Sequence, residues 1–105
     1  MTEKLELEKL RNEIAAVTFE IFALCRKRLK LARKIAAVKL RKGLPVEDLE
    51  IERDLKRRVL DFCHKNDMND EFCVKLLDLL ISESKSVQRE AMKSEFRRES
   101  SKTEG

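Results

Sequence analysis

"ALCRKRLKLARKIAAVK", residues 23–39, decides the fold. Its apolar residues recur at steps of three and four, the signature of one face of an α-helix. Walking outward by the same rule gives Leu7, Leu10, Ile14, Val17, Ile21, Leu24, position 28, Leu31, Ile35 and Val38, a heptad-like seam. Position 28 is an arginine. A guanidinium cannot be deprotonated in a protein and is costly to bury without an anionic partner. Either the seam ends in water at Arg28, or something negative is held there.

The rest of the chain supports helices. At 105 residues it is one domain at most, and Ala, Glu, Lys, Leu and Arg supply more than half of it. Two glycines and one proline leave little material for tight turns or sheets. Trp and Tyr are absent, so the core is aliphatic with five Phe. The 24 basic and 20 acidic residues are interspersed, which fits a solvated helix surface and argues against nucleic-acid binding. No apolar run reaches membrane-spanning length and no secretory leader is read, so no membrane partner is expected. Cys25, Cys63 and Cys73 form no CxxC pair and leave one over, which points to a reduced, cytoplasmic setting. Cys63 and His64 with Cys73 could sketch a partial metal site. Core cysteines beside a surface histidine are the plainer reading, and no metal or cofactor is expected.

Nothing breaks residues 2–42, and Gly43 followed by Pro45 is the first strong stop. A first helix is expected from about Lys4 to about Arg41. Asp48 suits the N-cap of a second helix, carried by Leu55, Val59 and Phe62 and ending near His64. "KNDMND" (65–70) is turn chemistry, with Asn69 or Asp70 capping a third helix that runs at least to Met92. Residues 1–92 are read as the helical domain and 93–105 as a polar extension, frayed or disordered. The fold class is all-α, three helices per chain with one very long. That first helix spans roughly 55 Å, against a diameter of roughly 33 Å for a compact domain of this size. Two shorter helices cannot cover its seam, so an obligate homodimer is expected in which the long helices of two chains pair.

Each helix carries polar residues in line with its apolar stripe. On the first these are Arg28 and, three turns later, Lys39; on the second Asp48 and Glu52; on the third Ser84 and Gln88. Inward-facing groups on facing helices build sites in bundle cores. Plainer readings stand beside this one: Arg28 could pair with Glu52 or Asp48, and Asp48 could be only a cap. Arg11, at the seam edge, lies too far around and along the first helix to join Arg28 from the same chain. Across a dimer it could reach the partner's cavity.

These residues resemble a known family, the small all-helical chorismate mutases that form intertwined dimers with shared active sites. The resemblance covers about residues 5–92 and rests on "LRNEI", "CRKRLKLARKIAAVK", "LPVEDLEIERD" and "LLISESKSVQ" taken together. It implies rearrangement of chorismate to prephenate, toward phenylalanine and tyrosine, without a cofactor. It implies that Arg28 and Arg11 of the partner subunit bind the two carboxylates, and that Lys39 contacts a carboxylate and the ether oxygen. Gln88 would donate to that oxygen, and Glu52 with Asp48 would take the ring hydroxyl. Ser84 would bond at the wall, with Ile35, Leu55 and Ile81 packing around the ring. One departure stands out: many members carry arginine where this chain has Ile51. An isochorismate pyruvate lyase on the same scaffold and a non-enzymatic helical dimer are the rival readings. The acidic pair Asp48 and Glu52, suited to a hydroxyl, favours the mutase.

Overall fold

The computed structural model describes residues 2–104, with side chains through Arg98. They form α1 (Glu3–Lys42), α2 (Leu49–Lys65) and α3 (Asp70–Glu104), with no strand among the described residues. The polar stretch after Met92 continues α3 as helix to Glu104. Of the expected extension, the backbone of Gly105 and the side chains beyond Arg98 lie outside the described residues.

The helix ends follow from local chemistry. Gly43 adopts φ 66°, a left-handed conformation that costs glycine little. Leu44 N–H then donates to the Lys39 carbonyl (2.8 Å) and Gly43 N–H to that of Leu40 (3.3 Å), closing α1 in a Schellman turn. The Asp48 carboxylate accepts from Ile51 N–H at 3.2 Å, and the Asn69 side chain accepts from Phe72 N–H at 2.9 Å. Both are N-caps, so Asn69 rather than Asp70 starts α3.

α3 packs closely on both other helices, while the backbones of α1 and α2 stay apart from each other among the described residues. The molecule measures 71 × 32 × 15 Å, and its radius of gyration is 19.4 Å. A compact chain of this length would have a radius of gyration of about 13 Å. A slab 15 Å thick is little more than one helix deep, so it has almost no interior. Ala32, Ala36, Cys63, Cys73, Leu77 and Gln88 are buried, and no large side chain is fully so.

The covered face of α1 is not the seam. Ala32 and Ala36 are buried, with Cys25, Leu29 and Leu40 half-buried beside them, on the side that meets α3. Small alanines let two helix backbones approach closely, so packing selects this face. The seam residues from Leu7 to Val38 stay exposed, Ile14 at 67% and Leu24 at 65%. Leu31 and Ala32 are adjacent, so the two faces lie about 100° apart. Arg28 and Lys39, half-buried, stand on the border between them.

The cysteines depart from the expectation of reduced thiols. Cys63 at the end of α2 and Cys73 at the start of α3 are both buried, as core cysteines should be, but they are bridged by a disulfide, leaving Cys25 unpaired. The short α2–α3 turn, with Asp67 in the left-handed region (φ 53°), places their Cα atoms 6.8 Å apart. That is within the outer reach of a disulfide. His64 does not join them; it pairs instead with Asp70 at 2.8 Å. No cluster fit to hold a metal occurs among the described residues.

Candidate active site

Three helix segments that are far apart in sequence surround one cavity of about 300 Å³. The C-terminal half of α1 contributes Arg28, Ile35 and Lys39; the following loop and α2 contribute Val46, Asp48, Ile51, Glu52 and Leu55; α3 contributes Ile81, Ser84, Lys85 and Gln88. The cavity therefore fills the gap that α1 and α2 leave above α3. Every site candidate named from the sequence lines it except Arg11, which is exposed and about 25 Å up α1 from Arg28.

Arg28 pairs with neither Asp48 nor Glu52. Its guanidinium donates to the Leu80 carbonyl of α3 at 2.8 Å. That bond fixes the side chain across the α1–α3 interface and leaves its other N–H donors for the cavity. Lys39, held in the closing turn of α1, donates to the Val46 carbonyl at 2.6 Å. Neither cation has a carboxylate partner among the described residues, so the cavity holds positive charge without an anion of its own.

Opposite them, two buried polar atoms have no partner: Glu52 Oε2 and Gln88 Oε1. Leaving such atoms bare is costly unless a ligand or water meets them. Gln88 is 6% exposed, and its amide nitrogen donates to the Ser84 hydroxyl at 3.1 Å. A hydroxyl both donates and accepts, so turning the amide over keeps the bond to Ser84 and presents N–H to the cavity. Gln88 can thus offer either a donor or an acceptor at that point. Asp48 is exposed and occupied as a cap at one oxygen, which confirms its capping role and leaves its other oxygen at the cavity rim.

Lys85 was not legible as a site residue. It reaches from α3 to Glu52 Oε1 at 2.6 Å and to Glu47 Oε1 at 3.1 Å, and its side chain is only 19% exposed. These hydrogen bonds, first to Glu52 and then to Glu47, raise its pKa above the ordinary lysine value. The signal available in sequence was weak: a lysine one residue past Ser84, on the shoulder of the stripe, looks like any solvated helix position.

The cavity is not sealed from the exposed seam. Ile35 and Lys39 also line an open apolar groove with Leu31, Lys34 and Val38. Farther up α1, Leu10, Glu13, Ile14, Val17, Thr18 and Ile21 line another, beside Arg11.

A helical bundle whose largely apolar cavity is bordered by two cations without carboxylate partners suits a small anionic molecule. Comparison with known proteins makes this specific. The family model of type II chorismate mutases matches residues 10–89, and the chain belongs to that family. It is 28% identical over 90 residues to the chorismate mutase of Methanocaldococcus jannaschii, covering 86% of this chain and 89% of that one. It is 31% identical over 103 residues to the 4-amino-4-deoxychorismate mutase of Streptomyces venezuelae, covering 93% of this chain and all of that one. A bifunctional chorismate mutase/prephenate dehydratase of Buchnera aphidicola is 32% identical over 92 residues, which is 88% of this chain but 24% of that protein.

Proposed function

We propose that this chain is a chorismate mutase that converts chorismate to prephenate, acting as a homodimer, with residues 1–92 as the catalytic unit. The observation that carries the reading is the convergence of unpaired Arg28 and Lys39 with the orphaned Glu52 and Gln88 oxygens in one cavity.

The reaction breaks a C–O bond and forms a C–C bond within one molecule, so it calls for neither a nucleophile nor a cofactor. What it needs is a compact, chair-like substrate and stabilisation of negative charge on the departing oxygen. Arg28 supplies a fork-shaped donor for a carboxylate. Lys39 exchanges the Val46 carbonyl for a carboxylate and the ether oxygen, where charge develops. Gln88 turns its N–H to the same oxygen; being neutral, it works without an ionised acid. Glu52 accepts the ring hydroxyl at Oε2, Asp48 assists from the rim, and Ser84 bonds at the wall. Ile35, Leu55 and Ile81 confine the ring.

Charge and geometry support the dimer. The cavity residues of one chain carry one positive charge in excess, from Arg28, Lys39 and Lys85 against Asp48 and Glu52. Arg11 of the partner subunit would raise this to two, matching the two carboxylates of the substrate. The cavity's opening onto the bare seam is where a second long helix would lie. No helix among the described residues is long and apolar enough to cross a membrane. A cytoplasmic location is part of this reading; unpaired Cys25 fits it, while the Cys63–Cys73 disulfide is the feature that weighs against it.

The test is loss of the chorismate diene absorbance with purified protein, followed by identification of the product. Prephenate should form, and Lys39→Ala should lower kcat by about 10²–10³ while helicity and assembly persist. A folded dimer that leaves chorismate unchanged, or an active Lys39→Ala variant, would overturn the reading. Pyruvate release from isochorismate would move it to the lyase.

A further inference from the structure

Glu52 is held asymmetrically. One oxygen meets Lys85 at 2.6 Å, while the other is buried and has no partner. Lys85 is the cation that meets Glu52 among the described residues, and position 51 on the same cavity wall is isoleucine. Its second bond, to Glu47 at 3.1 Å, ties α3 to the loop before α2 and restrains the ammonium on both sides. Hydrogen bonds to both carboxylates favour its charged form, so it remains a cation through the neutral range.

We propose that Lys85 is a positioning residue that sets which substituent Glu52 accepts: it aims the free carboxylate oxygen at a neutral hydroxyl and disfavours an ammonium there. The proposal rests on the mutase reading and deepens it. A hydroxyl donates one hydrogen bond to Glu52 Oε2 and, being neutral, feels the charge beyond far less than an ammonium does. An ammonium at the same place would lie within about 6 Å of Lys85 Nζ across the carboxylate, and would compete with Lys85 for the charge of Glu52. Like charges so placed in a partly covered site repel. Lys85 thereby selects chorismate over the analogue in which an amino group replaces the hydroxyl.

The experiment compares kcat/KM for chorismate and for 4-amino-4-deoxychorismate in the wild-type dimer, Lys85→Gln and Lys85→Arg. Lys85→Gln should move the ratio toward the amino substrate by about tenfold, chiefly through KM, and Lys85→Arg should keep the wild-type preference. A lysine that merely pins α3 to α2 would lower both values together, so a ratio within twofold of wild type in folded Lys85→Gln overturns the inference. Should the amide unsettle the helix pair, Lys85→Met retains the apolar stem, loses only the ammonium and must show the same shift. Wild-type protein inert toward both substrates would remove the mutase reading and the inference with it. Turnover of chorismate with an unmoved ratio would remove the inference alone.

Discussion

The two halves of α1 share one helix and one apolar period, yet they end in different surroundings. From Leu5 to Leu24 every large apolar side chain is about half exposed or more, up to 76% at Phe19. From Cys25 onward a second face, built on Ala32 and Ala36, is covered by α3, and the cations at its border open into the cavity. The difference teaches that an apolar period announces that a face will be covered without saying by what. Small residues decide which face meets a neighbour within the chain, and on the proposed reading charged residues in the seam mark where the neighbour is a ligand.

The largest effect should come from breaking the exposed half. If the proposed dimer forms through this seam, Ile14→Glu, in its middle, should shift the protein from dimer to monomer in sedimentation and abolish turnover, because each cavity would then lack Arg11 of the partner subunit. A sharper version mixes Arg11→Ala chains with Lys39→Ala chains, each inactive alone. Refolding them together should restore about a quarter of wild-type activity, since half the dimers are mixed and each has one intact site. No recovery would place Arg11 outside the site, and persistence of dimers in Ile14→Glu would place the interface elsewhere.

In the covered half, Ala36→Leu adds volume where the side chain is 1% exposed against α3. Denaturation should show a loss of about 1–3 kcal/mol, whereas Ala15→Leu on the uncovered part should change little. At the end of α1, Gly43→Ala meets no atom within 4 Å, so its cost is conformational only. A loss of about 1 kcal/mol is expected from the left-handed backbone. Lys39, which accepts the closing hydrogen bond of that turn, should lose some placement too, read as a modest rise in KM.

The smallest effect lies at the α2–α3 turn. The hydrogen bond and charge of Asp70 raise the pKa of His64 above 6.5. The folded state therefore binds the proton more tightly than the unfolded one. Its contribution is fully present below the unfolded value and is lost as pH rises through the raised folded value. Because both groups are exposed, the change in urea midpoint between about pH 5.5 and pH 8.5 should be small and should vanish in Asp70→Asn.

Much of this protein is local chemistry, and such chemistry is legible in one dimension. Gly43 and Pro45 stop a helix whatever surrounds it, Asp48 and Asn69 cap through their own backbones, and a period of three to four puts Arg28, Lys39, Ser84 and Gln88 in line. Residues lined up on separate helices converge once those helices share a core, which is why the candidates from three segments meet in one cavity. Arg11 does not reach that cavity from its own chain, and helix rise alone says so.

Other features needed the folded chain. That α3 lies on the alanine face rather than on the leucine seam depends on how closely two backbones approach, a property of the pair of helices. The bridge between Cys63 and Cys73 depends on how sharply the 65–69 turn folds back. Lys85 belongs to the site only because α3 brings its stem past Glu47 and Glu52, and nothing in its own neighbourhood distinguishes it from a surface lysine. Sequence alone determined the helices, their capped ends and the charged residues set into apolar stripes, but not the far end of α3, because those features follow from backbone bonds and side-chain periodicity. Tertiary structure alone decided which oxygen of Glu52 is held and which is left bare, because that depends on a distance between residues on different helices.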